Sequence, residues 1–171
     1  MWIVVVGYLV GSMLGGRLYG MVSGQDLASS GSGNVGARNA LRSGGIWAFL
    51  LVYGFDVLKT VLVLSLSGSF FFETALALTL GHIYPIWHIR TGGKGYAVFS
   101  GIILAYNPIW FVGGLVLLLL LIKITRNSRE TGLVMLFLLP LAAWGDTTDF
   151  VLAVMALAVI LYHHIRGTSH G

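Results

Sequence analysis

Cysteine is absent from the 171-residue chain, which removes a disulfide framework, a thiolate zinc site and a cysteine nucleophile. Charge is scarce too: Asp, Glu, Lys and Arg together make up 9% of the residues, against roughly 25% in soluble domains. That scarcity excludes a soluble globular protein. Acidic residues number 6 and basic ones 10, and the pI near 9.6 would point to nucleic acid in a soluble chain. Here most cations stand in short connections between apolar runs, so membrane orientation is the simpler account and no nucleic-acid partner is expected. The first apolar segment has no basic stretch before it and no small-residue cleavage site after it, which reads as an uncleaved helix. No soluble domain, low-complexity tract or helical repeat is visible.

What remains is apolar. Hydrophobic residues make up 57% of the chain and the mean hydropathy is +0.89. Apolar runs at 2–21, 46–66, 70–87, 96–106, 108–124, 133–144 and 150–165 predict an all-α integral membrane protein, a compact bundle of about seven transmembrane helices. Runs 96–106 and 133–144 are short for a span and need shielding by protein or water. Alternate connections carry the cations: Arg38 and Arg42, then Arg90 and Lys94, then Lys123, Arg126 and Arg129, then Arg166 in the tail. The others offer Glu73, Asn107-Pro108, Asp146 and Asp149. This alternation places the N-terminus outside and the C-terminus in the cytoplasm. Residues 1–171 are expected to form a single membrane-embedded domain, with 23–45 as its one long loop.

Two polar stretches interrupt the apolar pattern, both on the cytoplasmic side of this topology. The first is Gly31-Ser32-Gly33-Asn34-Val35-Gly36-Ala37-Arg38-Asn39-Ala40-Leu41-Arg42. Its glycines free the backbone to converge N–H groups, and its Ser, Asn and Arg side chains add donors, a composition suited to an anion. It spells G-x-G-x-x-G, but without a preceding strand or a βαβ unit the dinucleotide reading fails. The second stretch is Gly81-His82-Ile83-Tyr84-Pro85 with Arg90-Thr91-Gly92-Gly93-Lys94-Gly95. Lys94 offers a point charge for phosphate, yet Tyr96 follows Gly95, so the magnesium-binding hydroxyl of a nucleotide loop is missing.

Other polar residues admit plainer readings. Gly7, Gly11, Gly15, Gly16, Gly113 and Gly114 suit close helix packing. For Arg38, Arg90, Arg126 and Arg129, orientation charge and ligand contact both stay open. Asp56 and Lys59 stand three apart in the second run and can neutralise each other on one helical face, facing inward near the site. The five tryptophans, Trp2, Trp47, Trp87, Trp110 and Trp144, lie near run ends as an interfacial belt.

In these residues the chain resembles the bacterial acyl-phosphate:glycerol-3-phosphate acyltransferases, the PlsY family. The resemblance rests on Ser32-Gly33-Asn34-Val35-Gly36-Ala37-Arg38-Asn39 with Arg42, on Asp56-Val57-Leu58-Lys59, and on Gly81-His82-Ile83-Tyr84-Pro85 with Gly92-Gly93-Lys94-Gly95, in that order. It implies a seven-helix bundle in the bacterial cell membrane with its active site at the cytoplasmic face. It also implies transfer of a fatty acyl group from acyl phosphate to the sn-1 hydroxyl of glycerol 3-phosphate, giving lysophosphatidic acid and phosphate. Substrates and membrane lipids are then the partners, and neither metal nor cofactor is implied. The expected catalytic residues are Ser32, Arg42, His82, Lys94 and His164. The expected substrate-binding residues are Gly31, Gly33, Asn34, Gly36, Arg38, Asn39, Lys59, Gly92, Gly93 and Gly95.

The chain departs from the family pattern at several points. Arg38 replaces a usual Thr, Arg90-Thr91 replaces Phe-Lys, and 126–131 reads Arg-Asn-Ser-Arg-Glu-Thr where a small, serine-rich run is usual. The last motif is reduced to His163-His164-Ile165-Arg166-Gly167, without its Asn and Glu. Two alternatives therefore stand beside the enzyme: a divergent acyltransferase with another phosphorylated acceptor, and a non-catalytic membrane anion-binding or transport protein.

Overall fold

A computed structural model describes residues 1–87, 91–125 and 147–166, with the side chains of 125, 147, 148 and 163–166 outside the description. Seven helices and no strand make up these residues: α1 (Trp2–Gly11), α2 (Gly15–Ser23), α3 (Ala37–Ser65), α4 (Phe71–Ile83), α5 (Tyr96–Tyr106), α6 (Pro108–Thr125) and α7 (Thr147–Arg166). A 3-10 turn, Gly68–Phe70, leads into α4. The expected run at 133–144, Trp144, Arg90, Arg126 and Arg129 fall outside the described residues.

Local chemistry explains where the helices stop. Gly24 ends α2 in the left-handed region at φ 72°, a terminator that costs glycine no Cβ clash. Pro85 restricts Tyr84 away from helical backbone, so α4 ends at Ile83. Pro108 opens α6 where its missing N–H is not needed, and the Asn107 side chain caps it, accepting from Ile109 N at 2.9 Å.

Two expectations need correction. The first apolar run is not one helix, because α1 and α2 meet at a 44° bend across Ser12–Leu14. The 23–45 loop is also shorter than expected, since α3 starts at Ala37 and continues past a kink at Gly45, where φ is 76°. The kink explains the misreading: Gly44-Gly45 looks like loop composition, yet glycine takes the positive φ without breaking off the helix. The 20 residues of α3 beyond the kink span roughly 30 Å, a full bilayer core.

The polarity of α3 is inverted relative to a soluble helix. Leu51, Leu58 and Leu62 are 64%, 57% and 56% exposed, whereas Asp56, Lys59 and Thr60 are buried. Apolar side chains outside and charges inside are what a lipid solvent demands. Trp2, Trp47, Trp87 and Trp110 are also exposed, as an interfacial belt requires.

Packing runs α1 on α4, α3 on α5, α2 on α3, α4 on α7 and α5 on α6. In lipid, burying leucine brings little hydrophobic gain, so close contact must hold the helices together. The α1–α4 pair shows how. A Cβ on Gly11 would strike the Leu78 carbonyl, and one on Gly81 the Tyr8 carbonyl, so the two backbones touch directly. The helix-packing reading holds for Gly7, Gly11 and Gly15, whereas Gly16 packs against the Val35 carbonyl just before α3 and Gly113 meets no described neighbour. The main core gathers Ile3, Leu78, Val98, Ile102 and Ile160. A smaller one of Leu27, Ala40, Ala48 and Val52 lies under the first glycine loop.

Candidate active site

The first glycine loop runs from Gly24 to Gly36 and is shaped by the helix that follows it. Asn39, 2% exposed, accepts from Ser32 N at 2.8 Å and donates to the Leu27 and Ser30 carbonyls at 2.9 Å each. Gly31 sits at φ 58°, and a Cβ there would collide with the Asn39 amide oxygen. Gln25 donates to the Ser43 carbonyl at 2.7 Å, and Ser30 and Ser43 hydroxyls bond at 3.2 Å. Asn39, expected among the substrate-binding residues, thus spends both amide protons on the loop and accepts from it as well. Ser32 and Gly33 are left exposed and Asn34 half-buried, and among the described residues the Asn34 amide oxygen is buried without a hydrogen-bond partner.

Gly36 caps α3 in extended conformation, so the helix N-terminus, with its positive dipole end, opens directly out of the loop. Arg38 and Arg42, both exposed, stand four residues apart and thus on one helical face. The helical start gives them a fixed spacing that the expected loop would not.

The second loop is held from below by a buried ionic cluster. Lys59 Nζ lies 2.7 Å from Asp56 Oδ1 and donates to the carbonyls of Gly11 at 3.1 Å and Met13 at 2.6 Å. Those three partners use all three ammonium protons. Gly15 N donates to Asp56 Oδ1 at 3.2 Å. His82 Nδ1 lies 3.4 Å from Lys59 Nζ and 3.7 Å from Asp56 Oδ1. On the other side of the ring, a Cβ on Gly93 would run into His82 Nε2, and Gly93 N donates to the His82 carbonyl at 3.0 Å.

Two further expected site residues are enclosed here. Lys59, expected among the substrate-binding residues, is 5% exposed with Asp56 and the carbonyls of the α1–α2 break as partners. His82, expected to be catalytic, is 3% exposed and wedged between that cluster and Gly93. Both hold the second loop from beneath. Gly92 packs against the Ile83 carbonyl with no room for a Cβ. Gly95 caps α5, so this loop too ends in a helix N-terminus, and half-buried Lys94 stands just before it.

Between the two loops lies α2. Gly16 touches the Val35 carbonyl of the first loop too closely for a Cβ. Arg17 donates to Asp26 Oδ1 at 3.2 Å and to Thr91 Oγ1 at 2.9 Å. From α1, Tyr8 donates to the Tyr84 carbonyl at 2.9 Å, and Ser12 Oγ accepts from Ile86 N at 3.2 Å. Sequence reasoning missed Tyr8, Ser12 and Arg17, and named Thr91 only as part of the second stretch and as a departure from the family pattern. For Arg17 a signal was available, since an arginine within an apolar run is by default a functional position.

The structure thus gathers Asp56, Lys59, His82, Gly92 and Gly93 in one place and Gly31, Ser32, Asn34 and Asn39 in another, with α2 joining them. His164 lies on the last turn of α7, its side chain outside the described residues. Each loop combines glycine backbone, a helix N-terminus and a nearby cation, an arrangement able to hold phosphate and to stabilise developing negative charge.

The profile of the family described as Glycerol-3-phosphate acyltransferase matches residues 1–169. A glycerol-3-phosphate acyltransferase of Nitrobacter winogradskyi is 37% identical over 180 residues, covering 94% of this chain and 85% of the relative. Glycerol-3-phosphate acyltransferase 1 of Rhizobium johnstonii is 32% identical over 163 residues, covering 92% and 79%. Among solved structures, the fold is similar to crystal structures of PlsY, an integral membrane glycerol 3-phosphate acyltransferase. The glycerol 3-phosphate form superposes with a TM-score of 0.87 at 29% identity, covering 98% of this chain and 89% of that one. The lysophosphatidic acid form gives a TM-score of 0.85.

Proposed function

The chain belongs to the glycerol-3-phosphate acyltransferase family, and from that premise we infer how its residues carry out the family reaction. It is an integral membrane acyltransferase that moves a fatty acyl group from acyl phosphate to the sn-1 hydroxyl of glycerol 3-phosphate, giving lysophosphatidic acid and phosphate. The observation that carries the site assignment is the pairing of two glycine loops, each opening into a helix N-terminus and each next to a cation. Both substrates bear phosphate, and two such cradles side by side suit a reaction between two phosphorylated molecules.

In this reading Ser32, Asn34 and the N–H groups at the start of α3 hold one phosphate together with Arg42, and Lys94 with the start of α5 holds the other. As the acceptor hydroxyl attacks the acyl carbonyl, the preset N–H groups and cations stabilise the growing oxyanion and the departing phosphate. Acyl phosphate is already activated, so no acyl-enzyme is needed. Arg38, on the same face as Arg42, strengthens acceptor binding. Residues 1–171 act as a single domain in the bacterial inner membrane. The N-terminus and the Glu73, Asn107 and Asp146 connections face outward, and both glycine loops face the cytoplasm.

Purified protein given acyl phosphate and a panel of phosphorylated acceptors tests the assignment through phosphate release. Ser32→Ala, Arg42→Ala and Lys94→Ala should each lower kcat/KM about ten- to a hundred-fold, the loss of one charged contact of about 1.5–3 kcal/mol. Near-normal turnover in both cation variants would overturn the cradle, and preference for another acceptor would reassign the substrate. Single cysteines at Asn34 and Asp146 should react with an impermeant reagent from opposite sides of the membrane.

A further inference from the structure

We propose that Arg17 is a positioning residue that sets the spacing between the two glycine loops, and with it the fit of glycerol 3-phosphate; this rests on the site reading above. One planar guanidinium reaches both loops, with Nη1 on Asp26 Oδ1 at 3.2 Å and Nη2 on Thr91 Oγ1 at 2.9 Å. Neither partner is incidental. Asp26 Oδ1 also accepts from Ala28 N at 3.0 Å and the Asp26 carbonyl accepts from Ser29 Oγ at 3.1 Å, so Asp26 forms the turn that enters the first loop. Thr91 immediately precedes Gly92-Gly93-Lys94. The neighbouring Gly16 is pressed onto the Val35 carbonyl of the first loop, so two consecutive residues of α2 grip both loops.

The side chain is 24% exposed and Asp26 54%, and an ion pair so open to solvent adds little to stability. Yet the Arg17 Nε is buried without a hydrogen-bond partner among the described residues, an arrangement that native structures rarely keep. A group that stabilises little and leaves one donor unsatisfied is better explained by what its two outer nitrogens hold in register. The competing reading is a plain orientation charge on the cytoplasmic side. The two readings differ over lysine, which keeps the charge but offers a single point in place of the fork.

The test uses full-length protein and two readouts, steady-state kinetics with glycerol 3-phosphate varied at saturating acyl phosphate, and equilibrium binding of glycerol 3-phosphate. Arg17→Gln and Arg17→Lys should each raise KM and Kd for glycerol 3-phosphate about ten-fold while kcat stays within about two-fold, with little change in thermal stability. Thr91→Val, at an exposed position where folding is not at risk, should raise KM as well, and adding it to Arg17→Gln should produce no further rise, because both act through one bond. Wild-type behaviour of Arg17→Lys would overturn the proposal in favour of orientation charge. Unchanged KM with activity falling in step with folded protein would overturn it in favour of simple stability. A wild type that binds glycerol 3-phosphate without turnover, with binding weakened in Arg17→Gln, would uphold the spacing role while sinking the acyltransferase reading, and absence of glycerol 3-phosphate binding by the wild type would overturn both.

Discussion

The two glycine loops have similar compositions but are built in opposite ways. The first is shaped almost entirely by nearby sequence: Asn39 reaches back 7 to 12 residues to Ser32, Ser30 and Leu27, and Gln25 reaches forward 18 to Ser43. The second is held by residues far along the chain, with Tyr8 76 residues from Tyr84, Ser12 74 from Ile86 and Arg17 74 from Thr91. Beneath it the Asp56–Lys59–His82 cluster ties α1, α2, α3 and α4 together. A locally folded loop can keep its shape when distant packing loosens, whereas a loop hung from other helices reports on the whole bundle.

The sharpest way to break this contrast is to remove the base of the second loop. Lys59→Met leaves the Asp56 carboxylate buried and unpaired, which should cost about 3–5 kcal/mol and show as a large loss of thermal stability in detergent. Adding Asp56→Asn should recover a good part of it. A Lys59→Met protein as stable as wild type would show that the cluster does not hold the bundle.

Asn39→Ala comes next. It removes three hydrogen bonds at about 1 kcal/mol each, but the damage should stay local: faster amide exchange across 27–34, little change across 92–99, and a marked loss of acyl transfer. Equal loosening of both loops would end the distinction between local and distant construction. Ser12→Ala should have the smallest effect, about 1 kcal/mol or less from the lost bond to Ile86 N. Its expected signature is faster exchange near Ile86 with the first loop unchanged.

The same contrast explains what could be read in the sequence. The apolar runs at 96–106 and 108–124 coincide almost residue for residue with α5 and α6, because Gly95 and Asn107-Pro108 mark their boundaries locally. Both glycine motifs were legible as polar interruptions of the apolar runs, and each does lead into a helix N-terminus. The inward pairing of Asp56 with Lys59 was legible too, since their spacing alone puts them on one face. The enclosure of Lys59, His82 and Asn39 was not, because whether a polar side chain meets a backbone carbonyl depends on what packs over it. The break in the first run was hidden for a similar reason. Residues 2–21 are uniformly apolar enough to cross a membrane, and the bend at Ser12–Leu14 exists because an ammonium group from α3 waits to receive the freed carbonyls.

That bend also constrains how the protein is made. Lys59 is synthesised 46 residues after Met13, the carbonyl it satisfies at the break. At ordinary elongation rates the ribosome needs roughly 2–9 s to cover that distance. During this interval the freed carbonyls have no protein donor, and hydrocarbon penalises each by several kcal/mol. The nascent first segment must therefore enter the bilayer as an unbroken helix or keep residues 11–13 in contact with water at the insertion machinery. Its final bent form belongs to a later stage of biogenesis, when the hairpin carrying Lys59 has inserted beside it.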